Sequence, residues 1–258
     1  MIHPSAVIEP GATLGQGVSV GPFALIGADV TLGDGVVVKS HAVVTGWTAI
    51  GAETVIFPHA TVGEVPQDLK YRGERTRLVV GARCRIREGA TLNTGTEGGG
   101  GITSVGDDCL LMTGSHVGHD ATLGNRVILA NGVAIAGHCQ IGDDVIIGGL
   151  SGIHQWVRIG QGAIIGALTM VTNDVIPFGL VQGPRGELDG LNLVGLKRRG
   201  MDRADITALR AAYDDLARGT GTFQDRARRL AETATSAQVL QMTAFILGGS
   251  DRSFLTPK

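Results

Sequence analysis

Aromatic residues are scarce: ten Phe, Trp and Tyr in 258 positions, too few for a core built on large rings. Cysteine is scarcer. The three present cannot all pair and form no CxxC signature, which excludes a disulfide framework and a cysteine-based redox or zinc motif. Neither sign of charge dominates, and a formal net charge of −2 gives no overall pull toward nucleic acid or anionic membranes. No apolar run is long enough to span a bilayer, and no basic segment leads into an apolar stretch at the start. The expectation is a soluble, cytoplasmic protein. Glycine, by contrast, is abundant: 41 residues, not spaced in threes as collagen requires. Much glycine with few aromatics points to a repeat architecture with many tight corners.

The repeat is six residues long. From His3 the chain divides into HPSAVI, EPGATL, GQGVSV, GPFALI and onward, and the sixth position is always aliphatic: Ile8, Leu14, Val20, Ile26, Leu32, Val38, Val44, Ile50, Ile56, Val62. The pattern returns at Val80, Ile86 and Leu92, then restarts one residue out of phase at Val105 and runs through Val117, Ile135 and Ile153 to Val171. An α-helix would scatter six-spaced residues around its surface, so the period excludes helix. Short strands joined by bends fit it, three to a triangular coil of eighteen residues, with coils stacked ~4.8 Å apart as parallel strands. About nine or ten such coils make a prism roughly 45 Å long. A single coil has no core of its own; stacking supplies one. Cys84, Cys109 and Cys139 each sit four residues after an aliphatic, at the small inward position, and read as buried packing thiols rather than nucleophiles.

Two stretches break the rhythm. Residues 63–77, "GEVPQDLKYRGERTR", are expected to loop out, and residues 96–103, "TEGGGGIT", are too glycine-rich to pack, either a bulge or a functional loop. The rhythm ends near Pro177. Beyond a transition segment, Asp202 caps a predicted helix to about Arg218, Thr222 or Phe223 opens a second to about Glu232, and Ser236 opens a third. The expected organisation is mainly β: a parallel β-helix over 1–190, then a small helical domain over 191–258.

Residues eighteen apart lie one above another on neighbouring coils. His119 therefore lies against Gly137, whose neighbour is His138, and the next step up falls at Gln155, beside His154. With His116, four of seven histidines gather on one outer edge of three successive coils. Each alone would read as a solvated surface histidine; four converging beside a glycine suggest a site. Asp120 follows His119 directly, and consecutive strand residues point to opposite faces unless a bend intervenes, so pairing them needs a corner. Such a pair would make His119 a general base with its orienting carboxylate. Gly137, lacking a side chain, would let a substrate carbonyl approach its N–H as an oxyanion site.

The sixes resemble those of hexapeptide-repeat acyltransferases, which implies a left-handed prism. More specifically, "GEVPQDLKY" (63–71), "GSHVGHD" (114–120), "AGH" (136–138), "GIHQ" (152–155) and "NLVGLKRRG" (192–200) resemble the UDP-N-acetylglucosamine 3-O-acyltransferases of lipid A biosynthesis, in order and over essentially the whole chain. The resemblance implies a homotrimer with sites between neighbouring prisms. It implies an (R)-3-hydroxyacyl donor on acyl carrier protein, the sugar 3-hydroxyl as acceptor, and neither metal nor cofactor. By position, His119, Asp120 and Gly137 would be catalytic. Asp68, Lys70, His116, His138 and Gln155 would hold sugar and donor, and His154, Asn192, Arg198 and Arg199 would meet nucleotide, pantetheine or carrier. Ala167 would limit acyl length. Asn93 stands where a histidine, and Val194 where a glutamate, is usual for the family, so neither role transfers. From Lys197 to Arg229 nine Lys or Arg face five Asp, a basic stretch suited to an acidic carrier or an ordinary solvated helix surface. Two rival readings share the scaffold: a nucleotide-sugar N-acyltransferase using a coenzyme A thioester, and a γ-class carbonic anhydrase binding zinc through histidines.

Overall fold

The computed structural model describes residues 1–250 and 252–257. The chain winds into a left-handed parallel β-helix whose three faces are sheets of nine, eight and ten strands. Most strands are only two residues long, as Val7–Ile8, Thr13–Leu14 and Ser19–Val20 show for the first coil. The eighteen-residue lap is explicit in the register, where Val117 pairs with Ile135, Ile135 with Ile153 and Ile153 with Val171. The sixth-position aliphatics point inward and are almost fully buried from Val20 onward, while Ile8 and Leu14 in the first coil are only partly covered. Each such side chain contributes about 1.5–3 kcal/mol of apolar burial, the term that holds coil on coil. The small residues four places later complete the core, and the three cysteines lie among them, each at most 1% exposed. Burial pushes the Cys139 thiol up to about 12, and its Sγ donates to the His154 carbonyl at 3.1 Å.

Corners between faces are sharp, and at most of them the residue three places after an aliphatic adopts the left-handed region whether or not it is glycine. Asp120 (φ 59), His138 (φ 62) and Trp156 (φ 66) occupy this position on three successive coils of one edge. A side chain there opposes the usual preference of L-residues and is retained because the coils above and below fix the turn.

The two predicted interruptions are present with shorter bounds. Gly63 and Glu64 still belong to strand Thr61–Glu64 and Arg77 to Arg77–Val80, leaving 65–76 as the excursion. Ile102 and Thr103 belong to strand Ile102–Val105, leaving a short segment with a 3-10 turn at Glu97–Gly99. That second excursion corrects the expectation that it is too rich in glycine to pack. Thr96 is buried, and a Cβ on Gly99 would overlap the Asp120 carboxylate. Its glycines are what allow backbone to close over that side chain.

The transition segment holds structure that periodicity did not reveal. An antiparallel hairpin, Gly179–Gln182 with Glu187–Leu191, ends the ten-stranded sheet, and helix α1 (Leu193–Arg198) follows. Six residues are too few to display a helical period. Helices α2 (Arg203–Arg218), α3 (Phe223–Thr233) and α4 (Ala237–Leu247) start and stop close to expectation. Asp202 stands at the start of α2 without a side-chain capping bond, whereas Thr222 and Asp225 form a full capping box on α3. Ile206, Leu209, Ala212 and Leu216 bury one face of α2, and the half-buried Tyr213 hydroxyl donates to the Leu188 carbonyl at 3.1 Å, tying the helices to the hairpin. Among the described residues no helix is long and apolar enough to cross a membrane.

Candidate active site

Strand alternation builds the groove. On the nine-stranded sheet Val117, Ile135, Ile153 and Val171 face the core, so the residues on either side of each face out. One outward row reads His116, Ala134, Gly152, Met170; the other reads Asn93, Gly118, Ala136, His154. Glycine and alanine in the middle of both rows leave a groove of about 330 Å³, with His119, Gly137, Gln155 and Gln67 on its walls. A larger cavity, about 630 Å³, adjoins at Trp156 and Arg252 but contains no acid–base pair.

The corner that the His119–Asp120 pairing requires exists. The left-handed turn at Asp120 swings consecutive side chains to the same side, and His119 Nδ1 lies 2.8 Å from Asp120 Oδ2. Asp120 is in turn fully specified: its Oδ1 accepts from the Thr96 N–H at 2.8 Å, its Oδ2 from the Thr96 hydroxyl at 2.6 Å, and its own N–H donates to Thr103 Oγ1 at 2.7 Å. Both side chains are shielded, 8% exposed for His119 and 0% for Asp120. A carboxylate on Nδ1 fixes the proton there and leaves Nε2 as the basic nitrogen. That nitrogen lies beside Gly137, where any Cβ would come within 2.6 Å of it.

The Gly137 N–H donates to no group among the described residues. At some equivalent turn positions the N–H is taken by a side chain, as Ala28 by Glu9 Oε2 at 3.0 Å, Asp107 by Asn125 Oδ1 at 2.9 Å and Asn125 by Asp143 Oδ1 at 2.8 Å, whereas at others, Gly137 among them, it is open. What sets Gly137 apart is that its open N–H belongs to the groove wall beside His119.

His138 meets His119 edge to face at 4.9 Å and stacks on Trp156 at 3.8 Å. Burial holds its pKa below the usual histidine value, against the opposing pull of the Asp120 charge. His116, bonded through Nδ1 to Thr91 Oγ1 at 2.8 Å, is also lowered, first by burial and then by His119. Both rings are therefore neutral near pH 7, able to orient a polar ligand without adding charge.

The chain thus brings together His116, His119, Asp120, Gly137, His138, His154 and Gln155. Asp68 and Lys70, on the 65–76 excursion, lie close enough for their charges to act on His138. Other predicted residues lie elsewhere. Asn192 is buried as the cap of α1, accepting from Gly195 N and donating to the Gly162 carbonyl, both at 2.9 Å. Arg199 also reaches that carbonyl, at 3.4 Å, and Arg198 is exposed on α1, so these three occupy the edge between the eight- and ten-stranded sheets. Val194 is 61% exposed on the same helix. Ala167 is an exposed corner residue outside the groove walls, where Met170 stands instead.

Sequence reasoning missed Thr96, Thr103 and Trp156. The spacing of eighteen from Asp120 through His138 to Trp156 was a usable signal for the last. Asn93 has a structural role: its amide donates to the Glu64 and Val65 carbonyls at 3.3 and 3.0 Å, pinning the start of the 65–76 excursion.

Ligand atoms of His119, Asp120 and His138 lie within 4.8 Å of one another. The donor set fits a metal poorly, because both Asp120 oxygens already accept hydrogen bonds from Thr96 and His119 Nδ1 faces the same carboxylate. It fits a hydrogen-bonded base and its orienter.

The family model described as "Udp N-acetylglucosamine O-acyltransferase; Domain 2" matches residues 174–255, and "Bacterial transferase hexapeptide (six repeats)" matches 11–46, 102–137 and 138–173. An acyl-(acyl-carrier-protein)–UDP-N-acetylglucosamine O-acyltransferase of Paracoccus denitrificans (strain Pd 1222) is 66% identical over 198 residues, 77% of this chain and 75% of that protein. The enzyme of that name from Rhizobium johnstonii is 48% identical over 257 residues, 99% of this chain and 94% of that protein. The solved UDP-N-acetylglucosamine acyltransferase from Campylobacter jejuni superposes with a TM-score of 0.94 at 38% identity, covering 100% of both chains.

Proposed function

The chain belongs to the acyl-(acyl-carrier-protein)–UDP-N-acetylglucosamine O-acyltransferase family, and from that premise we propose how its groove carries an acyl chain from acyl carrier protein to the nucleotide sugar. The reaction is the entry step of lipid A assembly, with an (R)-3-hydroxyacyl donor. His119 Nε2 takes the proton of the sugar 3-hydroxyl as its oxygen attacks the thioester carbonyl carbon. A C–O bond forms, the carbonyl electron pair moves to oxygen, and the Gly137 N–H receives that oxyanion. Collapse re-forms the carbonyl, breaks the C–S bond, and returns the proton from His119 to the departing pantetheine sulfur. Asp120 keeps the Nδ1 proton in place and stabilises the imidazolium that forms in between.

One observation carries this reading: a base fixed by Thr96 and Asp120 stands beside a groove-wall N–H with no partner among the described residues. A direct attack also agrees with the burial of all three cysteines.

The working assembly is a cytoplasmic homotrimer. Asn192, Arg198 and Arg199 lie on a different edge from the histidine groove of their own chain, so a neighbour would supply them. Leu150, Leu168 and Met170, 68%, 67% and 51% exposed beside the groove, are apolar surface that a neighbouring prism would cover. Neighbouring prisms would also present the basic helical surface to an acidic carrier.

The test is incubation with UDP-N-acetylglucosamine and hydroxyacyl carrier proteins of graded chain length, with product masses read out and acyl-coenzyme A as the competing donor. An O-acylated sugar nucleotide formed from the carrier donor supports the reading. Preference for coenzyme A, or an amide product, contradicts it.

A further inference from the structure

Beyond the groove, the adjoining cavity of about 630 Å³ is lined by Trp156, Thr172, Asn173, Arg252 and Ser253. Among the described residues its chemistry is one-sided: a guanidinium, two hydroxyls, an amide and an indole, with no carboxylate. Among the described residues Arg252 uses two of its five N–H donors, one on the Thr172 carbonyl at 3.1 Å and one on His154 Nδ1 at 2.8 Å. Its Nε is buried without a partner, and among the described residues it has no carboxylate in ion-pair range. A cation held in place with donors to spare is arranged for an anion.

His154 connects the two spaces. It lines the groove, while its Nδ1 accepts from Arg252, which lines the cavity. The guanidinium can only donate, so at 2.8 Å Nδ1 accepts from Arg252 in preference to donating to the Gln155 carbonyl at 3.3 Å, which leaves a ring N–H on Nε2. Trp156, which lines the cavity, stacks on His138 in the groove. A substrate whose reacting end lies at His119 therefore reaches the cavity two coils further on, roughly 10 Å away.

We propose that this cavity is a phosphate subsite, in which the Arg252 guanidinium, with the His154 Nε2–H, holds a phosphate oxygen of a substrate whose reacting end lies in the groove. The proposal deepens the acyl-transfer reading and rests on it for the choice of ligands. Two substrates bring phosphate: the nucleotide sugar, through its pyrophosphate, and the acyl donor, through its phosphopantetheine arm. The shared chemistry is a phosphate ester facing a guanidinium.

Binding is measured by calorimetry, so that the outcome does not depend on turnover. UDP-N-acetylglucosamine, 4′-phosphopantetheine and phosphate-free pantetheine are each titrated into the wild-type chain, Arg252→Gln and Arg252→Lys, with melting curves confirming that the variants fold. Losing charge-assisted bonds should weaken one phosphate-bearing ligand roughly tenfold to hundredfold in Arg252→Gln, with partial recovery in Arg252→Lys and no change for pantetheine. Which ligand weakens identifies the phosphate. Unchanged affinity for both phosphate-bearing ligands, or equal weakening of pantetheine, overturns the proposal. Failure of the wild type to transfer acyl groups would count against the enzymatic reading instead, and these titrations would still report on the subsite.

Discussion

Gly137→Ala isolates one geometric claim. The glycine's φ is not in the left-handed region, so alanine meets no backbone obstacle there. The obstacle is the base itself: the added Cβ would lie 2.6 Å from both Cε1 and Nε2 of His119 and 3.1 Å from Nδ1. Ordinary carbon contact is about 3.5–4.0 Å, so the ring must retreat by about 1 Å. It cannot do so and keep its 2.8 Å contact with Asp120, which Thr96 and Thr103 hold in place. A misplacement of about 1 Å at a reacting group costs on the order of 10² in rate. The expected result is a kcat at least ~10²-fold lower with the KM for the sugar nucleotide within a few-fold, since the groove floor is untouched. Steady-state kinetics on the purified variant, alongside a thermal melt, decide it. A kcat within threefold of wild type in a folded variant would refute the placement of His119 Nε2 against Gly137.

Two further outcomes are expected. Thr96→Val removes the 2.6 Å hydroxyl bond to Asp120 while keeping the backbone N–H bond, and should lower kcat about tenfold through a less rigid carboxylate, measured by the kcat ratio to wild type at saturating substrate. Burial holds the folded pKa of His116 below the ordinary histidine value, so the unfolded chain binds its proton more readily; the stability this gives is present above that ordinary value and is lost as pH falls. Melting temperatures at pH 7.5 and 5.5 should therefore differ less in His116→Gln than in the wild type, and an equal or larger difference would contradict the sign.

The prism was legible because six-residue periodicity is a local pattern with one three-dimensional solution. Once eighteen residues close a lap, the meeting of His119 with Gly137 follows by counting. Counting fails where the lap is interrupted: Leu92 pairs with Val117, twenty-five residues on, so Thr96 and Asn93 could not be placed without the excursion's path. The Asp120 side chain posed a different difficulty. Strand alternation sends it away from His119, and only the left-handed corner brings it back, a feature set by stacking rather than by residue type. The hairpin and α1 are not legible because strands of four and five residues and a helix of six repeat their pattern too few times to stand out. Asn192, Arg198 and Arg199 matched family segments, but matching gives no address in space, and a single chain sets them apart from the groove.

The central claim is that one imidazole, fixed by its neighbour's carboxylate, moves the proton of the sugar alcohol. His119→Ala tests it most directly, by the rate of acyl transfer at saturating substrates with the oligomeric state measured in parallel. A fall of at least ~10² with assembly unchanged is the predicted result. Turnover within threefold of wild type would contradict it.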